Sequence, residues 1–375
     1  MRTQETAVRR VGRSPRLTTK LLALLIALGV AALLAEAIVR VARPGHPGFR
    51  LPQVEHRPVP GLGFEMVPGQ QAYTWASPAR INSLGFRGPE PRDVPGRPLV
   101  FCIGDSMTFG NNVDESVTYP FLLQQLIQHR WPELRPETLN MGVQRYFTYQ
   151  EIEVLKRHAP RLRPDIVTVA VYVNDLGRRP ARDFVQEYED EREQAARAFH
   201  NVFPTLYLLL KNSATIELMR SIYLASIAPE SAGQRALAGR LTPADEPRWR
   251  TVEEDLVTFR QLADAYEFQL YVVFVPARPQ VQQEMPNSAY PRRLVEHSRR
   301  QGLVAIDPME AFKRELRAGR DPYLPWDDHM SAAGHRLVAE AILEQLREHD
   351  DWQQGILGSS EARQVALQQT TGENR

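Results

Sequence analysis

Apolar positions along the chain fall into three kinds of run, each predicting a different element. Leu21 to Val39 is apolar except for Glu36, and its roughly 19 residues lie within the span that crosses a bilayer as a helix. Short apolar runs recur at Leu99 to Ile103, bounded by Pro98 and Gly104, and at Thr138 to Met141, Ile166 to Val173, Gln269 to Val275 and Leu303 to Ile306. Runs of that length, rich in β-branched residues and closed by turn formers, predict buried strands. Between them, helical spacing predicts helices at Tyr119 to Arg130 (Leu122, Leu123, Leu126 and Ile127), Tyr149 to Ala159, Trp249 to Tyr266, Tyr290 to Arg300 and Ser331 to Glu348. Strands that are apolar throughout, alternating with helices, imply a parallel sheet covered on both faces. The expected fold is therefore α/β: a three-layer α/β/α doubly wound domain.

The remaining stretches set the expected organisation. Residues 1–20 are a basic leader, 21–39 a transmembrane helix, 40–97 a connecting and packing segment, 98–349 the α/β domain and 350–375 a polar, poorly ordered tail. A helical insertion at about 183–240 is not required by the sheet and reads either as a lid or as a packing pair. Its first part, Val185 to Ala198, is charge-rich; its second, Phe203 to Ile227, is apolar enough to pack. Arg2, Arg9, Arg10, Arg13, Arg16 and Lys20 precede the apolar run, against Arg40, Arg43 and Arg50 behind it, a bias that keeps the amino terminus cytoplasmic. Ala35-Glu36-Ala37 imitates a signal-peptidase site, so cleavage is the rival reading. In both readings the α/β domain is exported, to the periplasm or the cell exterior.

Composition removes some functions. Lys plus Arg (46) nearly cancels Asp plus Glu (45), so the net balance gives no support for a nucleic-acid partner. Cys102 is the single cysteine; neither an intrachain disulfide nor a CxxC metal site can form, and the residue should be an inert part of the core. No cofactor or metal is expected.

The candidate chemistry sits at strand ends. Gly104-Asp105-Ser106-Met107-Thr108-Phe109-Gly110 lies where the first strand of the domain turns into its helix, the edge at which open α/β sheets bind ligands. A serine there either caps the helix or presents its hydroxyl for attack. Asn140-Met141-Gly142 and Asn174-Asp175 follow the next two strands, and Asp327-Asp328-His329-Met330-Ser331-Ala332-Ala333-Gly334-His335 precedes the last helix. These four segments, in this order, resemble the blocks of the SGNH (GDSL-like) hydrolases, and the resemblance spans Pro98 to His349. It implies Ser106 as nucleophile and His329 as base. It also implies an oxyanion hole formed by the Ser106 and Gly142 amides and the Asn174 side chain, with Asp105 and Asp175 as possible support. For the acid that orients the imidazole, Asp327 is the choice, because residues two apart in an extended stretch point the same way. The family usually spaces this acid three before the histidine, where this chain has Trp326, and Tyr172 stands where glycine is usual. In the connecting segment, Asn82 and Arg87 either form a turn or line the site.

The resemblance implies a serine esterase acting on O-acyl groups, O-acetyl foremost, of an envelope carbohydrate or lipid. The alternatives are a polysaccharide O-acyltransferase on the same fold and a non-catalytic carbohydrate-binding envelope module. An ordinary Gly-x-Ser-x-Gly nucleophile elbow is ruled out, since Thr108 fills its last position. A metal hydrolase using Asp327, Asp328, His329 and His335 lacks the HExxH or cysteine spacing that such sites carry.

Overall fold

The computed structural model describes residues 15–92, 97–177, 198–227, 230–283, 285 and 287–348. Residues 1–14 of the basic leader, nearly all of the charge-rich stretch 185–198 and the polar tail lie outside the described residues.

The core is a five-stranded parallel sheet. Its strands are β5 (Leu99–Gly104), β6 (Glu137–Gly142), β7 (Ile166–Val171), β8 (Gln269–Phe274) and β9 (Val304–Ile306), numbered after four short strands described below. They lie in the order β6-β5-β7-β8-β9, all parallel. The chain thus lays down its first strand, places the second on one side and all later ones on the other, which is the doubly wound pattern with its switch point between β5 and β7.

Side chains alternate across the pleat. Phe101, Ile103, Val167, Val169, Val272 and Phe274 enter one core with the Thr148–Leu162 and Glu246–Tyr266 helices. Val100, Cys102, Ala170, Tyr271 and Val273 enter the other, under the Tyr119–Arg130 and Ala332–Glu348 helices. Every residue of β7 is buried, as a strand covered on both faces requires. Cys102 lies in the second core, and burial pushes its thiol up to about 12.

Four sequence expectations need correction. The run Ile166 to Val173 stops being strand at Val171, and Val173–Leu176 forms a 3₁₀ turn. Met309–Arg317 is a helix that the apolar pattern did not announce, and Arg278–Gln282 is a single further turn. The connecting segment holds two antiparallel hairpins, β1 (His56–Val59) with β2 (Gly63–Met66) and β3 (Gln71–Thr74) with β4 (Ser77–Arg80). With four residues per strand and prolines at 58 and 78, these strands show no readable alternation. They are held by docking instead. For the first hairpin Tyr146 Oη donates to the Phe64 carbonyl and Gln150 Nε2 to the Leu62 carbonyl at 2.8 Å. For the second, Thr74 Oγ1 donates to Asn111 Oδ1 at 2.9 Å and Arg87 Nη2 to the Pro78 carbonyl at 3.0 Å.

Before this domain, one helix runs from Pro15 to Ala42. Its Leu17–Ala42 portion is long and apolar enough to cross a membrane, with none of its window buried against the rest of the chain. Of the insertion, the described part forms helices at Pro204–Lys211, Ala214–Ile227 and Ala232–Leu237.

Candidate active site

The register of the sheet brings the strand ends together. Gly104, which ends β5, pairs with Gly142 at the end of β6 and with Ala170 near the end of β7. Whatever follows each strand therefore emerges at one edge, within a few ångströms of its neighbours.

Ser106 opens a four-residue helix, Ser106–Phe109, capped by Asp105. The cap is a hydrogen bond from the Met107 amide to Asp105 Oδ1 at 2.8 Å, the usual way a short polar side chain satisfies an orphan amide. Asp105 Oδ2 accepts a second bond from Asn174 Nδ2 at 2.6 Å, so the two loops that follow β5 and β7 are tied through a buried carboxylate. Burial raises the Asp105 pKa.

His329 approaches from the segment before the last helix. Its Nε2 lies 2.7 Å from Ser106 Oγ, and its Nδ1 lies 2.7 Å from Asp327 Oδ2. The second contact lies at hydrogen-bond distance without the alignment of a straight bond, and such contacts commonly tighten when substrate binds. Burial alone would lower the His329 pKa, but the hydrogen bond and charge of Asp327, with Asp105 and Asp328, outweigh it and hold the imidazole above its ordinary value. For Asp327 burial pulls upward, and the bond to His329 and its charge hold the carboxyl below the usual range. Asp328 turns away, exposed, with its Oδ1 3.8 Å from Arg278 Nε. The segment is closed at its neck by a Tyr323–Met330 bridge and by the Leu324 amide donating to the His329 carbonyl at 2.9 Å.

Gly142 is where the fold leaves no freedom. A Cβ there would overlap the Phe109 amide nitrogen and come within 2.8 Å of Thr108 Cβ, so only glycine lets β6 end this close to the Ser106 helix. Its own amide donates to Asn140 Oδ1 at 3.1 Å, while Asn140 Nδ2 reaches the Phe109 carbonyl at 3.3 Å. Asn174 is exposed and has a second amide hydrogen beyond the one given to Asp105.

The other candidates divide. Asp175 is buried and accepts from the Thr148 and Tyr172 amides at 3.1 and 3.0 Å, fixing the turn that presents Asn174. Tyr172, in extended backbone, is packed between the two cores. His335 accepts from the Tyr119 amide through Nδ1 at 3.2 Å, and burial lowers its pKa to about 3; it joins two helices and stays outside the site. Ser331 donates through its hydroxyl to the Asp321 carbonyl at 2.8 Å, and its own carbonyl accepts from the His335 amide at 3.0 Å at the start of the last helix.

Asn82 closes a turn, accepting from the Leu84 and Phe86 amides at 3.0 and 3.1 Å. Arg87 is buried to 1% exposure behind the Ser106 loop. Nη1 donates to the Phe109 and Gly110 carbonyls at 2.9 and 2.5 Å, and Nη2 to those of Pro78 and Val113 at 3.0 and 2.7 Å. Burial brings its pKa down to about 10, which leaves it charged at neutral pH.

One residue at the site had no sequence signal. Asn111, on the loop Arg87 pins, places Nδ2 3.5 Å from His329 Nε2. Its Oδ1 accepts from Thr74 Oγ1 at 2.9 Å and from Gln144 Nε2, which fixes the amide's orientation. Three separate segments converge on it, and nothing in Gly110-Asn111-Asn112 distinguishes it from an ordinary turn. Among the described residues no group of three or more His, Cys, Asp or Glu could hold a metal ion.

A serine hydroxyl hydrogen-bonded to an imidazole that a carboxylate holds, at the edge of a doubly wound sheet, defines the hydrolase class of this fold. The family model of the GDSL-like lipase/acylhydrolases matches residues 102–337, and the chain belongs to that family. It is a hydrolase acting on ester bonds. A search of curated proteins finds no match. Similar solved structures include LAE5, an α/β hydrolase from the metagenome of Lake Arreo, Spain, at 18% identity, covering 67% of this chain and 95% of that one with a TM-score of 0.40. A member of the lipolytic G-D-S-L family from Veillonella parvula is 13% identical, covers 66% and 96%, and has a TM-score of 0.39. The acetyl xylan esterase AlAXEase is 15% identical, covers 66% and 99%, and has a TM-score of 0.40.

Proposed function

We propose that the chain is a serine esterase that removes O-acyl groups, O-acetyl among them, from an envelope carbohydrate or lipid through an acyl-enzyme on Ser106. The observation that carries this reading is the 2.7 Å contact between His329 Nε2 and Ser106 Oγ. A neutral imidazole at that distance takes the hydroxyl proton as Oγ bonds to the ester carbonyl carbon. Asp327 stabilises the imidazolium and holds the tautomer with Nε2 unprotonated. Negative charge on the former carbonyl oxygen meets the Ser106 amide and the second amide hydrogen of Asn174. Gly142 contributes by sharing the amide hydrogen that Asn140 otherwise takes. The tetrahedral species expels the alcohol, which receives the proton from His329. Water then repeats the sequence on the acyl-enzyme and frees the carboxylic acid.

Retention of the amino-terminal helix belongs to the same reading. Glu36 accepts from Ser213 Oγ and from the Ala214 and Thr215 amides at 2.8, 2.9 and 3.0 Å, capping the Ala214–Ile227 helix. Cleavage after Ala37 would remove that cap and leave helix-terminal donors unsatisfied. The helix thus acts as an anchor, with the α/β unit, about 98–349, outside the cytoplasm.

Mass spectrometry of the chain after brief incubation with p-nitrophenyl esters of graded acyl length tests the chemistry. An acyl mass increment on the peptide carrying Ser106 is expected. No adduct on Ser106, together with equal turnover by wild type and Ser106→Ala, would refute the reading. A mature chain beginning at Ile38 would refute the anchor alone.

A further inference from the structure

The exposed apolar surface of the chain does not end with the anchor. Phe203, Leu206, Leu209, Met219, Ile222 and Tyr223, on and beside the Pro204–Lys211 and Ala214–Ile227 helices, are between 46% and 64% exposed. Large apolar side chains exposed on two helices that touch each other mark a contact with a partner or a membrane. At 8 and 14 residues these helices rise about 12 and 21 Å, too short for a hydrocarbon core of about 30 Å. They have the dimensions of helices that lie in the interface.

What covers this face follows from what holds the hairpin. Its turn is clamped to the end of the anchor: Glu36 caps the second helix, and Arg40 Nη2 donates to the Asn212 carbonyl at 2.7 Å. The Asn212 side chain in turn holds the backbone of Phe49, accepting from its amide at 2.8 Å and donating to its carbonyl at 3.2 Å. The Leu17–Ala42 helix is about 39 Å long at the helical rise, some 9 Å longer than the hydrocarbon core. Glu36 and Arg40 are the charged residues at its outer end, and charged groups at a helix end seek the headgroup region, so the hairpin they clamp lies close to that level. The chain leaving the anchor docks on the loop of the site. Trp326 Nε1 donates to the Pro44 carbonyl at 3.1 Å, and the Arg43 guanidinium stacks on the indole at 4.5 Å. Tryptophan beside arginine suits the membrane–water boundary, and Asp327 is the next residue.

We propose that the Pro204–Ile227 hairpin lies in the same bilayer leaflet that the anchor enters, its apolar face among the lipids, and that anchor, hairpin and Trp326 together hold the Ser106 cleft against the membrane surface. The inference rests on the retained anchor proposed above. It assigns the insertion a lipid-contacting role in place of a lid, and it favours esters carried by the membrane over freely diffusing ones.

The full chain in brominated phosphatidylcholine vesicles tests it, because buried Cys102 leaves introduced cysteines as the reactive thiols. Environment-sensitive fluorophores on Leu209→Cys and Met219→Cys should be quenched to an extent comparable with Leu33→Cys in the anchor. Ala265→Cys, at the opposite edge of the sheet, should not be quenched. Quenching at position 33 without quenching at 209 and 219 would overturn the hairpin's role and leave the anchor standing. No quenching at 33 would remove the anchor and this inference with it. Burial of 209 and 219 by self-association without quenching would assign the face to a second copy of the chain and equally overturn the proposal. In a functional arm, the triple change Leu206→Glu, Leu209→Glu and Met219→Glu should slow hydrolysis of a vesicle-borne long-chain ester at least about tenfold. Soluble p-nitrophenyl acetate should be cleaved at the wild-type rate. Unchanged turnover of the vesicle-borne ester would count against the proposal.

Discussion

Replacing Arg87 by methionine separates what supports the site from what performs its chemistry. The guanidinium makes four hydrogen bonds, to the carbonyls of Phe109, Gly110, Pro78 and Val113. A hydrogen bond involving a charged group contributes about 1.5–3 kcal/mol, so a naive sum is about 6–12 kcal/mol. Two effects reduce it: the buried charge and its desolvation cost are removed, and methionine retains much of the packing. Breaking a buried charged network by deleting one member typically costs about 3–5 kcal/mol, and that is the expected loss here. At about 3 kcal/mol per molar for a domain of this size, the urea midpoint in detergent should fall by about 1–2 M. Activity should fall as well, measured under conditions where the variant is still folded, because the freed loop carries Asn111 beside His329. Arg87→Lys, which keeps the charge but lacks the fork, should lie between. A methionine variant within 1 kcal/mol of wild type and with full turnover would show that the loop is fixed by other contacts.

The chemistry itself gives further expectations. Ser106→Ala should lower turnover at least about 10⁴-fold without unfolding the chain, as read by initial rates and circular dichroism. Asn174→Ala should cost about 10²–10³-fold in kcat for loss of one oxyanion donor; an effect confined to KM would remove it from that role. The rate should fall as pH drops through the His329 pKa, which lies above the ordinary 6.5, because only the neutral ring accepts the proton. Asp327→Asn removes the largest of the influences that raise that pKa while burial still lowers it, so the acid limb should move to lower pH even as the rate falls. A limb that stays in place would hand the orienting role to another carboxylate. Gly142→Ala, forced against the Phe109 backbone, should destabilise by several kcal/mol in the same urea assay, an overpacking cost of about 3 or more.

The sheet was legible because its strands are buried on both faces. Val167, Val169 and Val171 serve one core, Ala170 the other, and that double demand writes a continuous apolar run. The hairpins at 56–80 escaped because they are held by docking, the first to Tyr146 and Gln150 and the second to Asn111 and Arg87, a long-range property that four-residue strands cannot display locally. The site divides in the same way. Ser106, Gly142, Asn174 and His329 are readable because they match the blocks of the resembled family, the first three at the ends of apolar runs, and Asp327 because it shares the face of His329 in an extended stretch. Asn111 comes into place only through Thr74, Gln144 and the Arg87 pin, contributed by three separate segments. Asn82 and Arg87 were visible as a pair, yet only the folded chain separates them into a turn former and a pin.

One contact between distant helices carries a consequence for the timing of activity. The Ala332–Glu348 helix, the last described, packs directly on the Tyr119–Arg130 helix that follows β5 and Ser106. His329 and Asp327 sit immediately ahead of it, so under the proposed mechanism the imidazole and its carboxylate take up position beside Ser106 only once that helix has been made and packed. With the anchor retained as proposed and its amino end in the cytoplasm, a nascent chain would complete this cluster only after residues 327–348 had crossed, and would not cut esters on the cytoplasmic side during transit.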